Sequence, residues 1–168
     1  MSIEIRVAIE KDTSLLTFLI RNSFRDVADR FELTPENSPS HPSNCADEWI
    51  NSALAKGVQY FILEQNLRPL GCVALEQANN SVCYLERLAV LPEYRNMGFG
   101  SLLVRHALRE ARGLEAERVE IGIIDAQTEL KDWYEKRGFH FRNTAKFDHL
   151  PFEVAFMFKE CAGPEYPG

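Results

Sequence analysis

The sequence predicts a mixed α/β fold in a single domain. Segments with the alternation or continuous apolar character of strands lie between segments with the helical period. They follow one another in the order β–α–α–β–β–β–α–β–α–β–β, an order expected of a sheet with helices packed against it. With 168 residues, of which 45% are hydrophobic, the chain is long enough to bury one sizeable core.

The first third of the chain predicts a strand, two helices and a long loop between the helices. The predicted bounds are 3–8 for the strand, 13–30 and 46–56 for the helices, and 34–45 for the loop. Asp12 or Thr13 can cap the first helix, and Gly57 ends the second. The loop holds three prolines, which interrupt regular structure.

The rest of the chain predicts six strands and two helices. The strands are predicted at 58–64, 69–77, 82–91, 118–124, 139–147 and 152–159, and the helices at 98–112 and 127–137. Asn79 and Asn80 form a turn, and Gly113 and Gly138 end the two helices. The tail over residues 161–168 has two prolines and two glycines and is predicted to be flexible, which leaves residues 1–160 as the domain.

Composition and charge exclude several classes of function. A net charge of −6 argues against nucleic acid as a partner and leaves a cationic substrate open. No apolar run approaches the roughly 18 residues of a membrane span, and the N-terminus lacks a signal-peptide pattern, so a cytoplasmic location is expected. The four cysteines have no CxxC spacing, which predicts buried thiols at Cys72 and Cys83 and no metal site.

Residues 85–100 are the most informative segment. An apolar run typical of a strand stops at Pro92, a short turn with Gly98 and Gly100 follows, and a helix begins there. Backbone N–H groups at a helix start have no intrahelical partners and carry partial positive charge, so this order predicts a cradle for a phosphate group. Glycine permits positive φ and close backbone approach, and Arg95 can donate to the phosphate oxygens.

Three kinds of phosphate loop compete for this segment. A P-loop has a lysine after its second glycine, where this chain has Ser101. A dinucleotide fingerprint has a third glycine at position 103, where this chain has Leu103. The remaining pattern, Arg-x-x-Gly-x-Gly after a strand ending in Leu-Ala-Val, resembles the acetyl-CoA signature of the GNAT (GCN5-related N-acetyltransferase) superfamily. Residues 132–139 resemble the late Tyr-Glu-Lys-x-Gly-Phe element of that family.

The resemblance implies a mostly antiparallel central sheet of about seven strands with helices on both faces. The strands before and after the cradle would be parallel neighbours that splay apart to admit the cofactor. Acetyl-CoA would be the co-substrate and an amine the acceptor, without a metal, and dimers are common in the family. The implied cofactor-binding residues are Leu88, Ala89, Val90, Arg95, Asn96, Met97, Gly98, Phe99, Gly100, Ser101 and Gln127.

Acetyl transfer from a thioester to an amine needs a base for the amine, donors for the carbonyl and an acid for the leaving sulfur. The resemblance gives the acid role to Tyr134, since a phenol with a pKa near 10 can donate a proton or a hydrogen bond. It assigns the hydrogen bond to the thioester carbonyl to a backbone N–H of residues 88–90. Gln127 stands where the family often has an asparagine that bonds to the cofactor or the central strand.

Glu86 is the predicted base. Strand alternation would place Tyr84, Glu86, Leu88 and Val90 on one face, and a carboxylate in an apolar strand should have a raised pKa. It would take the proton directly or through water, and an ion-paired surface glutamate is the alternative. Tyr84 is the second choice for a contact with the substrate.

Two questions stay open at the level of sequence. The loop over residues 34–45, with Phe24, Phe31 and Trp49 around it, either shapes the acceptor pocket or is a surface loop. The chain is predicted to be an N-acetyltransferase that binds both substrates together and transfers directly. A non-catalytic acyl-CoA-binding module and a transferase of longer acyl groups are the alternatives.

Overall fold

One seven-stranded sheet with helices on both faces forms the fold in this computed structural model, which describes residues 2–161. In chain order the elements are β1 (Ile3–Val7), α1 (Thr13–Arg30), α2 (Asp47–Ala55), β2 (Gln59–Gln65), β3 (Arg68–Gln77), β4 (Val82–Val90), α3 (Phe99–Gly113), β5 (Arg118–Ile124), α4 (Thr128–Glu135), β6 (His140–Lys146) and β7 (Glu153–Glu160). The sheet order is β1-β2-β3-β4-β5-β7-β6. Every predicted helix and strand is therefore confirmed, with small differences at the ends.

All strand pairs of this sheet are antiparallel except β4 with β5, which is parallel. The parallel ladder runs only from Val82↔Arg118 to Tyr84↔Glu120. Beyond Tyr84 the two strands part, although β4 continues to Val90 and β5 to Ile124. The expected splay between these strands is confirmed, and the later part of β4 borders an opening in the sheet.

Two cores lie on opposite faces of the sheet. The face toward α3 and α4 buries the larger core, which includes Phe61, Leu103 and Phe139. The face toward α1 and α2 buries a second core around Leu16 and Ile50. Residues of β2 and β3 alternate between the two cores, as the period of a strand requires.

A bulge in β4 breaks this alternation. Ala74 on β3 pairs with Glu86 and Cys72 pairs with Ala89, so one residue of β3 faces two of β4, Arg87 and Leu88. Arg87 has φ 54°, in the left-handed region that a non-glycine residue rarely adopts. The extra residue reverses the direction of every side chain that follows.

The predicted common face of Tyr84, Glu86, Leu88 and Val90 is therefore wrong. Leu88 and Val90 pack against the α3 core. Glu86 instead lines a cavity beside α2. The alternation of a regular strand is interrupted where β4 contains one inserted residue, and a sequence alone does not show which partner residue a strand residue faces.

Two local predictions near the N-terminus and C-terminus also change. Asp12 precedes α1 without a side-chain capping bond. Its carboxylate instead accepts from the Arg6 guanidinium at 2.8 Å and from the Ile9 N–H at 2.8 Å. Cys161, predicted to begin the flexible tail, is buried, and its N–H donates to the Glu117 carbonyl. Residues 162–168 of that tail lie outside the described residues.

The predicted loop over residues 34–45 has defined internal contacts. Thr34 and Asn37 exchange hydrogen bonds between side chain and backbone, and a short 3₁₀ turn spans Pro42–Asn44. The His41 ring is buried, contacts Phe24 edge-on and accepts from the Ser43 N–H. Within the described chain, no helix is long and apolar enough to cross a bilayer.

Gly71 marks the closest approach of β3 to β4. A Cβ at this position would lie 2.4 Å from the Ala89 carbonyl oxygen, a backbone atom that cannot move away cheaply. We expect Gly71→Ala to lower the free energy of unfolding by about 2 kcal/mol or more in urea titrations. Gly113→Ala is the control, because a Cβ there would meet open space, and it should leave stability within about 1 kcal/mol. Equal effects of the two changes would contradict this packing.

Candidate active site

The predicted cradle lies at the start of α3. The chain reaches the helix through left-handed residues, Asn96 with φ 62° and Gly98 with φ 87°. The Leu102 N–H already donates to the Gly98 carbonyl at 3.2 Å, so the helical bonds begin there. The amides before Leu102 point out of the helix end, where the helix dipole favours an anion. A Cβ on Gly98 would meet open space, so its backbone conformation is what requires glycine.

Gly100 has a different reason to be glycine. A Cβ at this position would lie 3.2 Å from the Trp133 ring of α4. The Arg137 guanidinium stacks on the Trp133 ring, 3.7 Å from the ring centre. The Nε atom of Arg137 also donates a hydrogen bond to Ser101 Oγ at 2.7 Å. Trp133 and Arg137 thus support the helix start. The sequence pattern did not predict this role, although a spacing of four residues is the signal that places two side chains on one side of a helical turn.

The Arg95 side chain, predicted to donate to phosphate oxygens, contacts α1 and the end of β4. Its guanidinium donates to Asp26 at 2.6 Å, to the Ser23 carbonyl at 2.5 Å and to the Val90 carbonyl at 3.2 Å. These bonds join the loop before α3 to α1 and to the end of β4. The physical reason is the carboxylate of Asp26, which gives the guanidinium a charged partner across the fold. Arg95 therefore positions the loop through α1.

The Tyr134 ring is pinned inside the larger core. It makes edge-on contacts with Trp133 and Phe139, at centroid distances of 5.0 and 5.2 Å. Tyr134 is 4% exposed, and this burial raises the pKa of its phenol above the ordinary value, with a small opposing effect of Arg137. The phenol is thus kept in the protonated form that an acid needs.

Glu86 is a half-buried carboxyl on the opposite side of β4. Burial raises its pKa to about 7, and a hydrogen bond and charge repulsion from Glu76 act in the same direction, while Arg87 lowers it. Glu76 lies diagonally across the β3–β4 ladder, because Glu76 pairs with Tyr84. A carboxyl that titrates near neutrality is suited to accept a proton in a catalysed reaction.

A cavity of about 510 Å³ opens beside Glu86, between α2 and the sheet. Its lining includes three carboxylic acids, two cations, two aromatic rings and five small or apolar residues: Glu48, Glu76, Glu86, Lys56, Arg87, Trp49, Tyr60, Cys45, Ile50, Ser52, Ala53 and Val58. Of the three aromatic residues expected around the loop over residues 34–45, Trp49 lines this cavity. The rings of Phe24 and Phe31 pack elsewhere, Phe24 in the α1–α2 core and Phe31 near Ile124.

The remaining predicted residues surround these features. Gln127 immediately precedes α4, where its N–H donates to the Ile124 carbonyl, and its side chain makes no capping bond to that helix. Tyr84 is 40% exposed on β4. Met97 is exposed in the turn before α3. Among residues 2–161 no cluster of three metal-ligating acidic, histidine or cysteine side chains is present.

Comparison with known proteins agrees with this arrangement. Residues 24–139 match the sequence profile of the acetyltransferase (GNAT) family. An amino-acid acetyltransferase of Neisseria meningitidis is 32% identical over 94 residues, which cover 55% of this chain and 20% of that protein. The chain therefore spans about a fifth of the length of the curated relatives it matches.

Two solved structures show the same fold. The PaiA N-acetyltransferase from Thermoplasma acidophilum, in complex with coenzyme A, superposes with a TM-score of 0.79 at 19% identity, covering 95% of this chain and 99% of that one. The ribosomal-protein-S18-alanine N-acetyltransferase from Escherichia coli superposes with a TM-score of 0.76 at 13% identity, covering 99% of each chain.

The pair of Glu76 and Glu86 generates a prediction for pH titration. We expect the carboxyl carbon of Glu86, followed by NMR, to titrate near pH 7, and Glu76→Gln to move this pKa down because a negative neighbour is removed. Since the folded chain holds this proton more tightly than the ordinary pKa of 4.5 allows, the stabilising contribution is complete below about pH 4.5 and is lost as pH rises through about 7. A Glu86 titration near 4.5 in both proteins would refute the coupling.

Proposed function

Because the chain belongs to the GNAT acetyltransferase family, we propose that it is an acetyl-CoA-dependent N-acetyltransferase that transfers acetyl to a primary amine by direct attack. The observation that carries this proposal is the composition of β4. One strand brings a carboxyl with a pKa of about 7, Glu86, to the opening in the sheet and then leads into the cradle at α3. The names of the neighbours, both N-acetyltransferases, support nitrogen as the acceptor atom.

The residues present fit acetyl-CoA as the co-substrate. The left-handed turn through Asn96 and Gly98 aims backbone amides outward from the α3 end, which suits a pyrophosphate. The edge of β4 over residues 88–90 borders the splay, where an extended arm can pair with it as an added strand. Bound there, acetyl-CoA would supply the acetyl group as an activated thioester.

Glu86 takes the role of the base. An ammonium group has no lone pair with which to attack, so one proton must leave the amine before the new C–N bond forms. Glu86 as a carboxylate accepts this proton, directly or through water. Its pKa of about 7 keeps enough carboxylate present at neutral pH while retaining basicity. The hydrogen bond with Glu76 gives the proton a second carboxyl to share.

Tyr134 takes the role of the acid. When the C–S bond breaks, the sulfur leaves with the electron pair and must gain a proton or a hydrogen bond. A phenol whose pKa is raised by burial stays protonated and available as the donor. Its ring is held by Trp133 and Phe139, so the hydroxyl needs little reorganisation during the reaction.

Tyr134→Phe tests the acid. The ring packing is retained, so we expect the fold and the affinity for acetyl-CoA to stay within about twofold, whereas kcat falls about 100-fold. Thiol release and calorimetry measure the two quantities. Tyr94→Phe is the control, since it removes a hydroxyl bonded to the exposed Arg68. A kcat that is unchanged in Tyr134→Phe would remove this residue as the acid.

Gly98→Val tests the cradle. Valine disfavours the left-handed φ of 87° and adds bulk at the helix start, so we expect acetyl-CoA affinity to fall about 10-fold or more. Gly57→Val is the matched control, because Gly57 has a similar φ of 91° with equally open surroundings at the end of α2. It should lose similar stability and keep its affinity for acetyl-CoA. If both variants bind acetyl-CoA equally well, the cradle assignment fails.

A further inference from the structure

Arg87 is a half-buried cation beside the carboxyl of Glu86, whose pKa it lowers, and its own hydrogen bonding is incomplete. Its Nη1 atom is buried and has no hydrogen-bond partner among residues 2–161. The guanidinium lies over the Trp49 ring at 5.4 Å from the centroid, in the wall of the cavity beside α2. A guanidinium carries five N–H donors, and a donor that is buried without an acceptor costs free energy. A bound ligand that supplies the acceptor can recover this free energy.

The bulge in β4 explains why this cation is there. In a regular strand Glu86 and Arg87 would point to opposite faces. The left-handed φ of Arg87 instead brings both side chains to the wall of one cavity. Backbone strain of this kind persists where the surrounding structure holds it in place, and it is concentrated at functional sites.

Neighbouring negative and positive groups are the complement of a zwitterion. In an α-amino acid the ammonium and the carboxylate are attached to the same carbon atom, as close together as two charged groups of a small molecule can be. Glu86, with Glu76 beside it, can accept from an ammonium group, and the Arg87 guanidinium can hold a carboxylate through two parallel hydrogen bonds.

We propose that the acceptor is a free α-amino acid with an apolar side chain, whose carboxylate binds Arg87 and whose amine faces Glu86. This inference rests on the proposed acetyltransferase function and names its substrate class. It assigns to Arg87 the role of a substrate-binding residue, while the chemistry stays with Glu86.

The remaining lining of the cavity determines which amino-acid side chain fits and which kind of anion can bind. Trp49, Tyr60, Ile50 and Val58 give an aromatic and aliphatic surface beyond the charged pair. The volume of about 510 Å³ lies within the range of roughly 300–1,000 Å³ that is usual for small-molecule sites. The three carboxylic acids of the lining disfavour a multiply charged anion such as a phosphate, and a zwitterion with no net charge avoids that repulsion.

Matched acceptors test this assignment. Wild-type protein is assayed with leucine, leucinamide and 3-methylbutylamine, and with phenylalanine, phenylalaninamide and phenethylamine, by thiol release and by mass of the acetylated product. In each set only the first compound has a carboxylate. We expect its kcat/KM to exceed those of the other two by about 10-fold or more, because the amide and the amine leave the buried Nη1 of Arg87 without an acceptor.

Arg87→Gln should reverse this preference. We expect kcat/KM for the amino acid to fall about 10-fold or more and that for the amide and the amine to stay within about twofold. Lys56→Gln is the control, since it removes an exposed cation from the rim of the same cavity, and it should keep the wild-type preference. Leucine and phenylalanine binding by calorimetry, with CoA present, gives a readout that does not depend on transfer.

The outcomes separate the two proposals. Transfer to the amide and the amine as efficient as to the amino acid, or an equal loss for all three in Arg87→Gln, overturns the amino-acid assignment and leaves the acetyltransferase proposal intact. Arg87-dependent binding of the amino acid without transfer to any amine supports the site and overturns the proposed reaction. If the amino acid is neither bound nor acetylated, the proposed amino-acid site is overturned.

Discussion

The one inserted residue in β4 is the constraint on which the site depends. Before the bulge, Glu86 belongs to the face toward α2, and after it Leu88 and Val90 belong to the face toward α3. Without the insertion Leu88 and Val90 would follow Glu86 onto the face toward α2, and Arg87 would point to the opposite face. A single strand can therefore serve two faces of the sheet at the opening between β4 and β5.

The opening itself is held by contacts between distant parts of the chain. Arg95 joins the turn before α3 to Asp26 on α1, and Arg30 near the end of α1 pairs with Glu129 at the start of α4. A small apolar cluster that includes Ala28 and Ile124 packs the end of α1 against the end of β5. These contacts attach α1 across the splayed strands, where the sheet supplies no ladder of its own.

Sequence patterns predicted the elements and the glycine turn before α3 well because both depend on local properties. Helical period, glycine turns and apolar strands are encoded within a few residues, so all seven strands and four helices were correctly placed. The bulge at Arg87 depends on which residue of β3 faces which of β4, and the partners of Asp12 and Arg95 depend on contacts between elements. Such long-range information was missing from the pattern, so the common face of β4 and the capping role of Asp12 were predicted wrongly, and the protein partners of Arg95 were not predicted.

The site divides in the same way. The turn with Gly98 carried its signature in consecutive residues, whereas the close approach of Trp133 to Gly100 and the cavity around Arg87 arise from packing of separate elements. Glu86 was predicted to have a raised pKa because it is a carboxyl in an apolar strand, and its pKa is raised to about 7. Its face was not identified, because the period of a strand carries no mark of an inserted residue.

The four cysteines of the folded protein are expected to react slowly with thiol reagents. Cys45, Cys72, Cys83 and Cys161 are free thiols with at most 5% exposure, and burial raises the pKa of each, so little thiolate is presented to a reagent. An electrophilic probe in solution would therefore label these sulfurs only as fast as the chain opens. Their modification rate therefore reports local unfolding, with Cys45 beside α2, Cys72 and Cys83 within the sheet, and Cys161 directly after β7 and next to α3.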